Sequence, residues 1–480
     1  MGDDGRFSVI ENKYSDFSVK MRTYTQCSRE EYESIPHITV GARYENYQLK
    51  EYIDIFNESH DDMQADMKIY ENDYSGEQPN LIGDDTFAKD ILAGNIPDVL
   101  LMDDISGNFG SVNLYKQGAL CDLYGFIDSD ENISRESFVP NAIKACEIEG
   151  GLYVLPNSFS IRLDYTAKEK FVKDIETWDF NAYMDIVENL PDDMGIDRWK
   201  TPETTTDTKY SRRGCYNWCN WVDFENNTCD FVNDEFIRYL NYCNGADVID
   251  VESEPFDPDS WTDDDYNQQF KMQQIQYRDD LALFNNAYIS IYYQYLDLTE
   301  GVFNGEPIIT LGEIGNHNTP VTLELGGVSS YAITSTSEKQ DLAWDFISNM
   351  ISDEYYNSDN SVFGFPITKS GLEIKAELDK RPQNNKYDNN DEFADYTGYL
   401  YPYGNGDKHS KIGYVDDEII ESVNGFIEKA VPQKSGIYPG EDFYNIAYEE
   451  FDRFFNGQTT AQQCAEAMQS RLSIYLSEKE

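Results

Sequence analysis

The sequence predicts an α/β protein of two lobes joined by crossing strands, and three observations carry that reading. Strand and helix patterns alternate early. The short apolar strand "HITVGARY" (His37–Tyr44) precedes Leu49, Tyr52, Ile53 and Phe56 at i, i+3, i+4 and i+7, one face of a helix. The run Val99–Met102 in "GNIPDVLLMDD" is continuously apolar, as a parallel strand buried on both faces must be. Finally, "GGLYVLPNSFSIRLDY" (Gly150–Tyr165) reads as extended on both sides of its proline. Strand, helix, strand in that order implies a right-handed crossover and an α/β lobe. The extended segment lies a third of the way along 480 residues. A single core stops growing at about 250–300 residues, so the segment is read as a passage between lobes.

Later elements carry their own signs. Ser337-x-x-Gln340 predicts a capping box ahead of Leu342, Phe346, Ile347 and Met350. Thr460-x-x-Gln463 opens a last helix with Ala461, Cys464, Met468, Leu472 and Tyr475 on one stripe. Thr201–Arg213, Glu252–Asp265 and Arg381–Asp395 are acidic and polar, and read as surface inserts. No Pro-rich or Gly/Ser-rich linker divides the chain, which favours lobes joined by several strands over separate beads.

Composition excludes some classes. With 37 basic and 90 acidic residues the net charge is −53, which repels nucleic acid and anionic membrane. No stretch approaches the ~20 apolar residues of a membrane span. Cys27 in "TYTQCS" lacks the small-apolar run that precedes a lipid-modified cysteine. Cys215, Cys219, Cys229 and Cys243 form the one cysteine cluster, spaced C-x3-C-x9-C-x13-C, with no histidine nearby. Zinc, a disulfide and packed thiols are the readings open to it. Helical spacing of Cys243 with Phe236, Tyr239 and Leu240 favours packing.

Catalytic signatures are missing: no H-E-x-x-H, G-x-S-x-G, P-loop or G-x-G-x-x-G occurs. "DSDENIS" (Asp128–Ser134) and "DNNDEFADYTG" (Asp388–Gly398) are oxygen-rich. Both lack the glycine and terminal glutamate of an EF-hand, so a solvated loop is set against calcium at each.

From about Ile38 onward the chain resembles the extracellular solute-binding proteins of family 1. These are the sugar-binding subunits of bacterial ABC transporters, with the type II periplasmic-binding-protein fold. The matching phrases, in order, are "ITVGARY…IDIFNESH", "AKDILAGNIPDVLLMDD", "GALCDLYGFIDSDENIS", "GGLYVLPNSFSI", "ETWDFNAYMDIV", "SYAITSTSEKQDLAWDFI", "GFPITKS" and "FFNGQTTAQQCAEAMQSRLSIYLSE". The resemblance implies discontinuous lobes: residues 37–155 with 310–350, and residues 156–309 with 351–480. Gly150 and Gly151 would form the entry turn to the first crossing, with a return to the first lobe near Thr310 and a second departure near Ile351. Pro156 cannot donate to a ladder and so belongs at an edge or crossing. Residues 1–36 are read as an N-terminal extension, the end of an upstream domain or a cloning remnant.

What the resemblance implies for function is extracellular capture of an oligosaccharide between the lobes and delivery to a membrane permease. Closure about the crossings, without chemistry, cofactor, metal or nucleic acid, and as a monomer on a bacterial surface, belongs to the same expectation. A ligand-presenting sensor or adhesion protein, or a glycan-active enzyme, is the alternative. Sugars need planar polar groups and aromatic faces, and open α/β sheets bind past their strand ends. Candidates are therefore Tyr44, Asp103, Asp104, Asn157, Phe159, Trp218, Trp221, Asn285, Asn286, Gly327 and Tyr331, with Gly326 beside them. Each has a structural alternative: core packing for Phe159, Trp218, Trp221 and Tyr331, and turn or cap roles for Asp103 and Asn286.

Overall fold

The structure is a computed structural model. It describes residues 6–12, 19–25, 28–44, 46–60, 62–71, 82–102, 111–191, 194–196, 218–223, 226–245, 276–314, 321–325, 329–358, 364–380, 400–403, 408–432 and 441–477. The three acidic inserts, 201–213, 252–265 and 381–395, lie outside these residues, as do 388–398.

Near the N-terminus β1 (Arg6–Asn12) and β2 (Val19–Thr25) form an antiparallel hairpin. A one-and-a-half-turn helix, Arg29–Ser34, follows with a capping box between Ser28 and Glu31. It is tied to the first sheet by Tyr32, whose Oη donates to Asp66 Oδ1 at 3.0 Å, and by His37 Nδ1, 2.8 Å from Asp66 Oδ2.

The first sheet orders five strands as β4 (Gln64–Ile69), β3 (His37–Ala42), β5 (Val99–Leu101), β15 (Ser330–Ile333) and β8 (Leu155–Pro156). β3 runs parallel to β4 and β5, and β15 runs antiparallel to β5 and β8. All three residues of β5 are buried, as the apolar run requires. Helix Tyr47–Ser59 buries Leu49, Tyr52, Ile53 and Phe56 and is capped by Asn46. Phe56 and Tyr52 meet Phe346 edge-on at 5.0 Å, which brings helix Gln340–Asn349 onto the same core. A small hairpin of β6 (Glu147–Ile148) and β7 (Gly151–Leu152) precedes the first crossing. Its turn residues Glu149 and Gly150 both have positive φ, 51° and 83°, so the glycine is required by backbone shape.

The second sheet is built on the long strand β9 (Ser158–Lys168). Its order is β12 (Asn285–Ile289), β9, β14 (Val321–Glu324) and β19 (Val431–Pro432), with β13 (Ile308–Thr310) and β16 (Phe365–Pro366) also on β9. Val321–Glu324, placed by the sequence in the first lobe, is hydrogen-bonded into this second sheet. Its Val321 and Leu323 stand opposite Leu163 and Ile161 and extend their apolar row. The strand-to-strand return therefore falls between Glu324 and Ser330. Two short hairpins complete the strands: β10 (Val222–Asp223) with β11 (Thr228–Cys229), and β17 (Leu400–Tyr403) with β18 (Lys408–Lys411).

Two large cores flank β9. Ile161 and Leu163 join the core that runs on into the first sheet. Ala167 and Tyr165 belong to another, formed with the helices Phe180–Glu188, Asp234–Asn244, Glu441–Phe455 and Ala461–Ser477. The cysteines sort with these cores: Cys219, Cys229, Cys243 and Cys464 are unbridged and lie in or against the second core. Burial pushes the Cys219 and Cys464 thiols up to about 12. Cys215 lies outside the described residues. Among those residues no cluster of three metal-binding side chains occurs, and no helix is long and apolar enough to cross a membrane.

Candidate functional site

Three passages between the sheets converge on one backbone unit, Asn157. Its N–H donates to Ser329 O at 3.1 Å, and its carbonyl accepts from Ile367 N at 3.3 Å and from Tyr356 Oη at 2.6 Å. The first passage (Leu155–Ser158), the return before Ser330 and the final passage into β16 are thus bonded to a single residue. The Asn157 side chain is engaged as well, its Oδ1 accepting from Ser158 Oγ at 3.2 Å, which places this candidate in the joint. Pro156, the expected edge residue, does sit on the edge strand β8. Gly364 has φ 125°, and a Cβ there would lie 2.8 Å from Ser158 Oγ and 3.0 Å from Phe159 O. Only glycine lets the third passage approach the first so closely.

The joint fixes which strand ends face it. Met102 N donates to Ser330 O at 2.7 Å, so the C-terminal ends of β3, β4 and β5 adjoin the crossing. Past those ends Arg43, Tyr44, Tyr70, Phe87 and Met102 line a cavity of about 40 Å³. That is room for a few waters, not a sugar ring. Tyr44 stands 47% exposed at this lip. Tyr70 donates to Asp90 Oδ2 at 2.8 Å, and burial pushes its phenol up to about 12.

On the second sheet, pleating sends Phe159, Ile161 and Leu163 into the core and their neighbours Ser160, Arg162 and Asp164 to the opposite face. Ser160 is paired with Glu324 on β14, and its Oγ lies 2.8 Å from Ser290 Oγ just past β12. One rung on, Arg162 stands between Tyr288 and Thr322. Its Nε donates to Asp164 Oδ2 at 2.8 Å, and its Nη1 lies 2.7 Å from Glu324 Oε1. Burial alone would lower the Arg162 pKa, but the adjacent Asp164 carboxylate, the Tyr288 hydroxyl and the Glu324 carboxylate raise it overall. Glu324 is raised, by burial first and by Asp164 and Glu313 further, against the pull of Arg162. This polar face begins at the crossing.

The other candidates are placed as follows. Phe159 is fully buried against Phe365 at 5.9 Å, and Tyr331 is 2% exposed between Leu101 and Leu155. Trp218 is 5% exposed. Its indole stacks on Phe443 at 5.6 Å and 14° and meets Phe451 and Tyr444 edge-on, so it is a packing residue. Trp221 is half-buried against Phe236 and Tyr239. Asn285 and Asn286 begin β12 rather than lead to its crossing end, since Asn285 pairs with Thr166 and Ile289 with Ile161. Asn286 Oδ1 accepts from Tyr165 N at 2.8 Å. Asp103, Asp104, Gly326 and Gly327 lie outside the described residues.

Sequence reasoning missed Ser160, Arg162, Tyr288, Ser290 and Glu324. The signal was available in "SFSIRLD", where polar and apolar residues alternate with period two. The loop "DSDENIS" is also accounted for. Asp128 is held bidentately by Arg135 at 2.6–2.7 Å, while Asp130 accepts from Asn132 N, Ile133 N and Trp344 Nε1.

A larger groove, about 770 Å³, runs between the helices Pro140–Ala145, Lys369–Asp379 and Asp417–Lys429. Its lysines are already engaged, Lys369 by Glu136 O and Lys380 by Glu377 and Asp417. The polar face beside the crossing is the stronger site.

No protein-family model matches the chain, and no curated protein does at the sequence level. Solved structures match over nearly the whole length. The sugar-binding protein MalE from the phytopathogen Xanthomonas citri is 12% identical, with a TM-score of 0.51 over 92% of this chain and 98% of that one. An extracellular solute-binding protein of family 1 from Alicyclobacillus acidocaldarius gives the same identity, TM-score and coverage. The chain has the two-lobe α/β fold of these solute-binding proteins. Identity this low carries the fold and leaves each site residue to be argued from this chain alone.

Proposed function

We propose that this protein captures a carbohydrate reversibly between its two lobes and delivers it, without chemistry, to the membrane permease of an ABC importer. The observation that carries the reading is the convergence of all three passages on Asn157 in a fold shared with a sugar-binding protein over 92% of the chain. Such a joint concentrates any opening motion in a few residues while both sheets stay rigid. The proposed lobes are residues 37–156 with 330–350, and residues 158–324 with 365–477, after an N-terminal extension. On this reading the protein works outside a bacterial cell, as a monomer.

Strand ends and a polar sheet face beside the joint supply the hydroxyl partners and aromatic surface that sugars require. The test is calorimetry and thermal shift with maltotriose, cellotriose, xylotriose, mannotriose and trigalacturonic acid, followed by chromatography of the recovered sugar. Binding with the sugar recovered intact is expected. Steady product release, or no binding to any member of the panel, would overturn the proposal.

A further inference from the structure

Among the described residues, the polar face of the second sheet carries one well-exposed aromatic ring, Tyr288, which is 59% exposed. An exposed tyrosine alone needs no explanation. This one is backed by a built support. Directly across on β9, the Arg162 guanidinium carbon lies 5.8 Å from the ring centroid. Asp164 and Glu324 in turn hold that guanidinium, at 2.8 and 2.7 Å. Arg162 also interacts with the Tyr288 hydroxyl, so the guanidinium orients the ring, and the ring's exposed surface can meet a flat, weakly polar C–H surface such as a pyranose.

Glu324 adds the polar half. It ends β14 at the crossing and is 8% exposed. Its Oε1 is near Arg162 Nη1 but off the N–H direction, so that oxygen has an ion-pair contact without a well-directed hydrogen bond. A buried acceptor left with an open lone pair is costly unless something donates to it. A sugar hydroxyl is such a donor. The local charge count then decides the ligand class: one guanidinium faces two carboxylates, which leaves no positive charge for a ligand carboxylate or phosphate to meet.

We propose that Tyr288 is the stacking platform, and Glu324 the hydroxyl acceptor, of the second lobe's share of the binding site, and that together they select neutral sugars over acidic ones. The inference rests on the carbohydrate reading above and deepens it. Arg162 acts as a positioning residue through both.

The test uses the full chain and whichever of maltotriose, cellotriose, xylotriose or mannotriose wild type binds most tightly. Tyr288→Ala should raise its Kd by roughly ten- to a hundredfold with the melting temperature unchanged, because the ring is exposed. Tyr288→Phe keeps the ring but loses the hydroxyl that interacts with Arg162, and should weaken binding far less than Tyr288→Ala. Glu324→Gln should weaken binding by about tenfold, since a charged acceptor becomes a neutral one. Phe171→Ala, at an exposed position in the short helix Glu169–Val172 that follows β9, should change nothing and serves as the control. Trigalacturonic acid should bind more weakly than the chosen neutral sugar. Binding by Tyr288→Ala equal to wild type, or preference for trigalacturonic acid, would sink this inference and leave the carbohydrate reading intact. Failure of wild type to bind any of the panel would remove both.

Discussion

At the scale of single residues, burial sorts the aromatic side chains where residue type does not. Trp218 and Tyr288 are both aromatic, yet one is 5% exposed and the other 59%. The indole of Trp218 fills the space between Phe231, Phe443, Tyr444 and Phe451. Trp218→Ala should therefore cost about 3–5 kcal/mol of stability, the range for emptying a buried aromatic site. Sugar affinity per folded molecule should stay unchanged. Urea denaturation with calorimetry on the same variant checks both, and a weakened Kd at full stability would return Trp218 to the binding site. The phrase "YNWCNW" offered no means of deciding this. Aromatic residues serve cores and sugar sites equally well, and the deciding partners come from a helix more than 200 residues later.

At the scale of elements, the strength of the local signal decided what was legible. The helix Ala461–Ser477 begins with the expected reciprocal cap: Gln463 N donates to Thr460 Oγ1 and Thr460 N to Gln463 Oε1. Helix Tyr47–Ser59 buries the four residues its spacing picked out. Ser337 behaves differently. Its hydroxyl donates to Asp98 Oδ1 at 2.6 Å, and Lys339 takes the N-cap position of Gln340–Asn349 instead, so a tertiary bond displaced the local one. β9 hides a similar device. Asp164 and Tyr165 stand against the single residue Asn286, a bulge, and Tyr165 adopts φ 51°. The extra residue reverses the pleat, so Leu163 enters one core and Ala167 the other. Glycine commonly marks such a turn of the backbone. Here a tyrosine occupies it, held by the Asn286 side chain, and nothing local announces it. Asn286→Ala removes that acceptor at an exposed position where water can replace it. The expected loss is about 0.5–1.5 kcal/mol in chemical denaturation, with sugar binding unaffected. A larger Kd without loss of stability would mean Asn286 touches ligand after all.

At the scale of the whole molecule, a net charge of −53 makes the response to pH a question of which carboxylates differ between folded and unfolded chains. Asp280 and Glu306 are lowered while Asp297 and Glu324 are raised, so the two kinds act with opposite signs. Asp280 and Glu306 flank the buried Lys168 and the exposed Lys170 at 2.6–3.2 Å. Burial works against the Asp280 charge, but its two lysine partners lower its pKa overall; for Glu306 the Lys168 bond is the main cause of the lowering. Groups depressed in the folded state stabilise it above their ordinary values, 3.8 and 4.5, and that contribution is lost as pH falls through the folded values. Asp297 acts with the opposite sign. It lies where helix Tyr292–Leu296 widens into the turn Asp297–Val302, and burial pushes its carboxyl up from 3.8 to about 7. The folded chain then holds a proton that the unfolded chain releases, so acidifying from pH 8 to about 4 adds stability. The slope is at most about 1.4 kcal/mol per pH unit. The melting temperature should accordingly rise from pH 8 to about 5 and fall steeply below pH 4. In Asp297→Asn, which carries no charge to bury, the rise between pH 8 and 5 should flatten while the acid limb stays. Asp280→Asn should instead soften the acid limb, since one of the two carboxylates that must be protonated to free Lys168 is gone. Thermal melts of the three proteins from pH 3.5 to 8.5 separate these effects. An Asp297→Asn curve parallel to wild type above pH 5 would show that Asp297 is already charged in the folded protein at neutral pH.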